Sequence, residues 1–362
     1  MSAQLAVVRS LLLGFVIATA VLVVLVVVSK LRRDRAEQSS GRSKARILQA
    51  WQSNDYPEML ATCRRAARGS VQRQSDYLMC CIAADPALWW TAASQARLLQ
   101  AAQESGLRNR LERQLHSRRA VRRGLAAAIG GYAGTALAPS QIAQLFADQD
   151  STVRTAAAAA LEHLGTPEAA RELIRGLAEE RLPAPRLIER LGHGWAVPSL
   201  LYFLNGASDT LVCGLLRALG LAEDPRCIAE LRRLASTTGN DEVRIQAIRA
   251  IGRCSRHASH PVRKEIEQFA RRQLTDSNAV IRSSAIQVLA KAGFAEDIPI
   301  ISACAYDPDW FVRRDAARAL ASFGEAGREE LRVIALGDDE YAAHRATQQL
   351  ALESLNAVSR PA

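Results

Sequence analysis

One motif, written several times over, constrains this chain more than any other feature. Asp150-Ser-Thr-Val-Arg154 runs through five alanines to Leu161 and Gly165. Variants return as Asp241-Glu-Val-Arg244 to Gly252, Asn278-Ala-Val-Ile-Arg282 to Gly293, and Asp309-Trp-Phe-Val-Arg313 to Gly324. Weaker copies end at Gly130, Gly192 and Gly220, and a degenerate last one occupies Tyr341 to Leu355. Successive glycines stand 35, 27, 28, 32, 41 and 31 residues apart. A period near 30 is one helix pair with loops of uneven length. Such a pair cannot bury its apolar face alone, so the copies must stack.

Each part of the motif has a mechanical role. Asp or Asn ahead of the helix caps its first amides. Val153, Ala157, Leu161 and Leu164 fall on one helical face. A glycine past the last turn permits the left-handed residue that turns the chain back. Between these helices the pattern predicts second helices over 168–178, 195–204, 225–235, 261–274, 295–305 and 326–335. Composition agrees, because 49% hydrophobic residues with only 5% aromatic suit a packed helical chain and oppose disorder.

The Asp…Val-Arg…Ala-Ala…Leu…Gly signature resembles the HEAT repeats, in particular the short bacterial type also seen in phycobilin-lyase-like proteins, over roughly residues 118–355. The resemblance implies an all-α fold, a right-handed α-solenoid of helix pairs occupying 118–358. It implies that Asp150, Arg154, Asp241, Arg244, Arg282, Asp309 and Arg313 form a structural polar ladder from repeat to repeat. It also places the second helices on the concave surface. Residues 47–117 are helical but off-pattern, with Pro57 and Pro86 at helix starts and Gly69 and Gly106 at ends. They read as an N-terminal cap over the terminal apolar face, with Trp51, Trp89 and Trp90 packed inside it.

From Leu11 to Val28 the chain carries eighteen residues without a charge, and Ser10 and Ser29 extend the run to twenty. Twenty helical residues span about 30 Å, the hydrocarbon thickness of a bilayer. The run is too long for a signal-peptide core and ends in Ser-Lys-Leu-Arg-Arg-Asp-Arg. We therefore expect a short extracytoplasmic tail (1–9), a transmembrane helix (10–29) and a basic polar tether (30–46). The heavier positive flank sets everything after the helix on the cytoplasmic face. Near an anionic membrane surface each tether cation contributes about 1 kcal/mol.

Charge distribution bears on partners. The net charge is +10, but residues 1–123 carry +12 and residues 124–362 carry −2. The positive excess therefore lies beside the expected anchor, and no nucleic acid is expected as a partner. Of 47 basic residues 43 are arginine, the bias of a GC-rich, bacterial-type genome. Seven cysteines without regular spacing read as free buried thiols.

Motifs for chemistry are absent. There is no Walker-type loop, no Gly-x-Ser-x-Gly, no Cys-x-x-Cys and no His-Glu dipeptide. Gly130-Gly131-Tyr-Ala-Gly134 joins helices and does not follow a strand. Cys254-Ser-Arg-His257-Ala-Ser-His260 offers three ligand types, but a fourth is not evident, so the expectation is a polar loop without metal. No cofactor is implied.

The sequence thus points to a membrane-anchored, non-enzymatic scaffold on the cytoplasmic face of a bacterial inner membrane. Its partner would be a protein, for instance a membrane enzyme or complex, met by Arg171, Arg175, Tyr202, Arg232, Arg233 and Arg271 on the second helices. The alternatives are an anchored enzyme of lyase-like or nucleic-acid-acting type, or an accessory subunit of an envelope polysaccharide synthesis or export complex.

Overall fold

The computed structural model describes residues 40–50, 55–83, 92–132, 137–182 and 184–358. The expected tail and transmembrane helix (1–29), the start of the tether, and Trp51, Trp89 and Trp90 lie outside them. Among the described residues no helix is long and apolar enough to cross a membrane, and no strand occurs.

The chain divides into two compact units between Leu164 and Gly165. The first contains α1 (40–50), α2 (Tyr56–Arg68), α3 (Val71–Ala83), α4 (Ala92–Glu104), α5 (Leu107–Leu115), α6 (Ala120–Tyr132), the short α7 (Pro139–Ala143) and α8 (Ser151–Leu164). Its interior is built from Cys63, Tyr77, Leu107, Leu111 and Ile129, all fully buried. Pro57 opens α2, where its missing amide costs nothing. Residues 40–46, expected as tether, belong instead to α1. Ser40 Oγ donates to Asp76 Oδ1 at 2.6 Å, and Ile47 and Ala50 are buried. That buried face carries the helix back into the polar stretch.

The second unit contains α9 (Pro167–Ala178), α10 (Ala184–Leu191), α11 (Val197–Phe203), α12 (Asp209–Ala222), α13 (Ile228–Thr237), α14 (Asp241–Cys254), α15 (His260–Gln273), α16 (Ala279–Ala292), α17 (Ile298–Ala303), α18 (Trp310–Ala321), α19 (Gly324–Ala335) and α20 (Glu340–Val358). The helices that carry the motif, α12, α14, α16, α18 and α20, pack in sequence against one another. The intervening helices form a second row with thinner mutual contact; α13 and α15 scarcely touch.

The repeat glycines divide into two kinds. Gly165, Gly293 and Gly324 adopt positive φ (60°, 75° and 67°) and end their turns as expected. Gly130, Gly220 and Gly252 instead lie inside helices, and what they provide is close approach. A Cβ on Gly220 would sit 3.2 Å from Ala250 Cα, and one on Gly252 3.0 Å from Val288 Cγ2. In the first unit Gly131 does the same, 2.5 Å from Ala160 Cα. These glycines let neighbouring motif helices come together.

The polar ladder also differs from the expectation. Its bridging acid stands two residues before the cap. Arg123 makes a bidentate bond to Asp148 (2.5 and 2.7 Å), and Arg282 one to Asp307 (2.8 and 2.7 Å). Arg244 reaches Asp276 through one guanidinium nitrogen and holds Asp241 with the other. Asp241 links repeats by accepting from Asn278 Nδ2 at 2.8 Å. Asp150 and Asp309 are local caps, accepting from Thr152 and Phe311 amides. Arg154 and Arg313 bind carbonyls of their own loops, Asp148 O at 2.8 Å and Asp307 O at 2.7 Å. Thus only Arg244, Arg282 and Asp241 of the expected set bond across repeats. Bonding from Arg123 holds Asp148 below the ordinary carboxylate range. Burial would raise Asp307, but Arg282 and the Asp309 amide bring it below that range.

Candidate interaction surface

Two rows of helices offer themselves in the second unit, and their side chains are engaged very differently. The residues expected to meet a partner all lie on the second row. Arg171 and Arg175 stand exposed on one face of α9, with Arg175 paired to Glu172 at 2.8 Å. Tyr202 on α11 is 71% exposed and meets Phe203 edge to face. Arg232 reaches across to Glu265 at 2.5 Å, and Arg233 is held by Glu230 at 2.5 Å and Asn205 at 3.2 Å.

Arg271 has structural work. It bonds Glu267 at 2.7 Å and Asp297 at 2.7 Å, two carboxylates almost wholly buried. Burial pushes the Asp297 carboxyl up from its ordinary value, and Arg271 opposes that. A guanidinium so committed cannot leave for a partner without stranding Asp297, whereas Glu267 keeps Lys264 at 3.0 Å. The structure therefore brings Arg232 and Arg233 onto α13, keeps Arg171 and Arg175 together on α9, and removes Arg271 from the available set.

In the second unit the motif helices are in closer mutual contact than the second helices. On this close-packed row lies a cleft formed by α12 and α14, lined by Leu216, Arg217, Gly220, Gln246, Arg249, Ala250 and Arg253. Arg217, Arg249 and Arg253 are exposed there. The sequence carried a signal for them: Arg217 and Arg249 each precede the Ala-Leu-Gly or Ala-Ile-Gly of their repeat.

Toward the end of the same row is an aromatic–arginine cluster. Trp310 and Phe311 open α18, 40% and 54% exposed, with ring centroids 4.8 Å apart. Tyr341 opens α20 and is 70% exposed. Arg345 stacks over Trp310 at 4.5 Å, Arg314 over Trp310 at 5.2 Å and Phe311 at 5.3 Å, and Arg313 over Tyr341 at 5.3 Å. The rings sit at helix starts because the cap residue turns the next two side chains outward, while Val312 points into the core.

The Cys254–His257–His260 segment does not gather. Cys254 is buried with Sγ 3.3 Å from Cys227 Sγ, His257 faces Glu223 at 3.1 Å, and His260 packs against Phe294. Among the described residues no group of three metal-ligating side chains is brought together. Cys63, Cys80 and Cys304 are free thiols pushed up to about 11, in each case first by burial.

Comparison with known proteins finds a family resemblance over part of the chain. Residues 267–352 match the family model described as HEAT repeats. No curated protein matches the chain. Among solved structures it is similar to an engineered protein, with 16% identity, 87% of this chain and 95% of that one covered, and a TM-score of 0.36. A designed armadillo repeat protein shows 18% identity over 59% of this chain and 98% of its own, TM-score 0.30. The karyopherin Kap121p bound to RanGTP shows 11% identity over 87% of this chain and 49% of its own, TM-score 0.38. The described residues thus form an all-helical repeat fold, of which 267–352 match the HEAT-repeat model.

Proposed function

We propose that this protein is a non-enzymatic scaffold that binds another protein along its motif-helix row while tethered to the cytoplasmic face of a bacterial inner membrane. The observation that carries the binding role is the cluster of Trp310, Phe311 and Tyr341, three large exposed rings interleaved with Arg313, Arg314 and Arg345. Trp, Tyr and Arg are the side chains that dominate binding energy at protein interfaces. The membrane part of the reading rests on the uncharged run from Leu11 to Val28 and its basic flank. A partner that is itself a membrane protein would meet the scaffold at raised effective concentration, with no new contact needed.

The test is a crosslinking pull-down from native membranes with the full chain and its W310A/Y341A variant. One specific membrane protein captured by the parent and lost from the variant is the expected result. Capture of nothing specific by the parent would end the scaffold reading. Release of the full chain into the soluble fraction by carbonate wash would end the anchor.

A further inference from the structure

The repeat glycines do a second thing besides letting helices approach. The Arg253 stem lies across Gly220, its Cδ 3.3 Å from where a Cβ would stand. Lys291 lies across Gly252 likewise, with Cδ and Nζ each 3.7 Å from that point. Each basic stem rests on bare backbone one repeat away, with the Lys291 ammonium itself drawn down beside Gly252. Arg253 and Lys291 occupy the same motif position in consecutive repeats, as do Arg217 and Arg249. The cleft walls carry three arginines and no acidic side chain. Desolvation pushes the Lys291 ammonium below its ordinary value, and Arg253 and Arg256 push it further, with Glu223 the opposing charge.

Resting on the scaffold reading above, we propose that this stripe on α12, α14 and α16 holds an extended acidic segment of the protein partner, running across the helices with its carboxylates three residues apart. Packed helix axes lie about 8–10 Å apart. A polyproline-type chain rises about 3.1 Å per residue with three residues per turn, so every third side chain faces the same way about 9 Å further on. Carboxylates at i, i+3 and i+6 therefore meet successive helices. A single-stranded nucleic acid would instead want rings to stack on among the cations. The stripe between Arg217 and Lys291 is lined by Leu216, Gln246 and Ala250, while the exposed rings lie at α18 and α20.

The experiment uses the full chain in neutral detergent micelles and a fluorescent peptide of three Glu-Pro-Pro triplets, read by anisotropy at low salt. Its comparisons are an isomer with the three glutamates contiguous and an oligothymidylate. The triplet peptide should bind about tenfold more tightly than its isomer, equivalent to about 1.4 kcal/mol. R249E/R253E should weaken it at least about tenfold, while R328E, at a half-buried arginine on α19 away from the stripe, leaves it unchanged. An unchanged unfolding midpoint certifies the double variant, and R217E on α12 replaces it if it fails to fold. Equal binding of the two peptides, or binding indifferent to these variants, overturns the inference. So does an oligothymidylate that binds more tightly than the triplet peptide and is lost in the same variant. If the membrane partner is still captured while the peptide fails, the scaffold stands and only the acidic-segment reading falls.

Discussion

The two helix rows of the second unit are built from similar residues and put to opposite uses. On the second row three arginines turn to their own neighbours, Arg233 to Glu230, Arg232 to Glu265 and Arg271 to two buried acids. On the motif row Arg217, Arg249 and Arg253 line a cleft without an acidic wall. The rows differ because the motif helices meet on glycine and alanine, which leaves room for basic stems, whereas the second helices meet through longer side chains that reach across to one another. Exposure alone therefore does not make a charge available; the neighbouring row decides it.

The largest effect is expected from removing a close approach of the same kind in the first unit. Gly131→Ala sets a Cβ 2.5 Å from Ala160 backbone atoms and should cost about 3 kcal/mol, read as a lowered thermal midpoint. Gly239→Ala, in the loop before α14, meets nothing within 4 Å and should change stability by under about 0.5 kcal/mol. Equal effects would mean that glycine serves both places only for backbone freedom.

On the second row, Arg271→Ala leaves buried Asp297 without its guanidinium and Glu267 with Lys264 alone. Because the Arg271 side chain is 37% exposed, the expected loss is about 2–3 kcal/mol, at the low end for a broken buried pair. A loss like that of an ordinary surface substitution would return Arg271 to the set of binding candidates.

The ladder joins repeats at the motif-helix starts, and Asp307→Asn should cost about 1.5–2 kcal/mol near neutral pH by weakening the bidentate bond from Arg282. The Asp307 carboxyl titrates below its ordinary value. Its contribution is therefore present above about pH 4 and disappears as pH falls through the folded value. The stability gap between parent and variant should close in acid, which a pH series of denaturant midpoints would show. A gap constant to low pH would leave the carboxylate charge without a role.

The smallest expected effect is on the second row's remaining arginines. R232E/R233E should stay within about 0.5 kcal/mol of the parent and leave partner capture unchanged. Lost capture with intact helicity would move the docking surface to α13 and reverse the comparison.

Much of this was legible in the residues. Helix starts at Asp241, Trp310 and Ile228 lie within a few positions of the pattern's prediction, because caps and apolar spacing are local. The cap assigned to Asp150 and Asp309 holds, whereas the ladder acids Asp148, Asp276 and Asp307 escaped notice. Each precedes its cap by two residues, outside the stretch that reads as helix, and its partner is an arginine 25 to 32 positions earlier. Arg232, Arg233 and Arg271 stand out in the sequence as members of adjacent arginine pairs, a feature that carries no information about the acid opposite.

What the sequence by itself determined is the unit and its period: a capped, alanine-rich helix, a glycine near its end, a second helix, and the necessity of stacking. These follow from interactions within one or two turns. Only the tertiary structure decided which helices close up on one another, which glycines are turns and which are saddles, and which arginines already have a partner. Those outcomes depend on side chains about 25 to 40 residues apart, and a one-repeat pattern does not contain the distance between its copies.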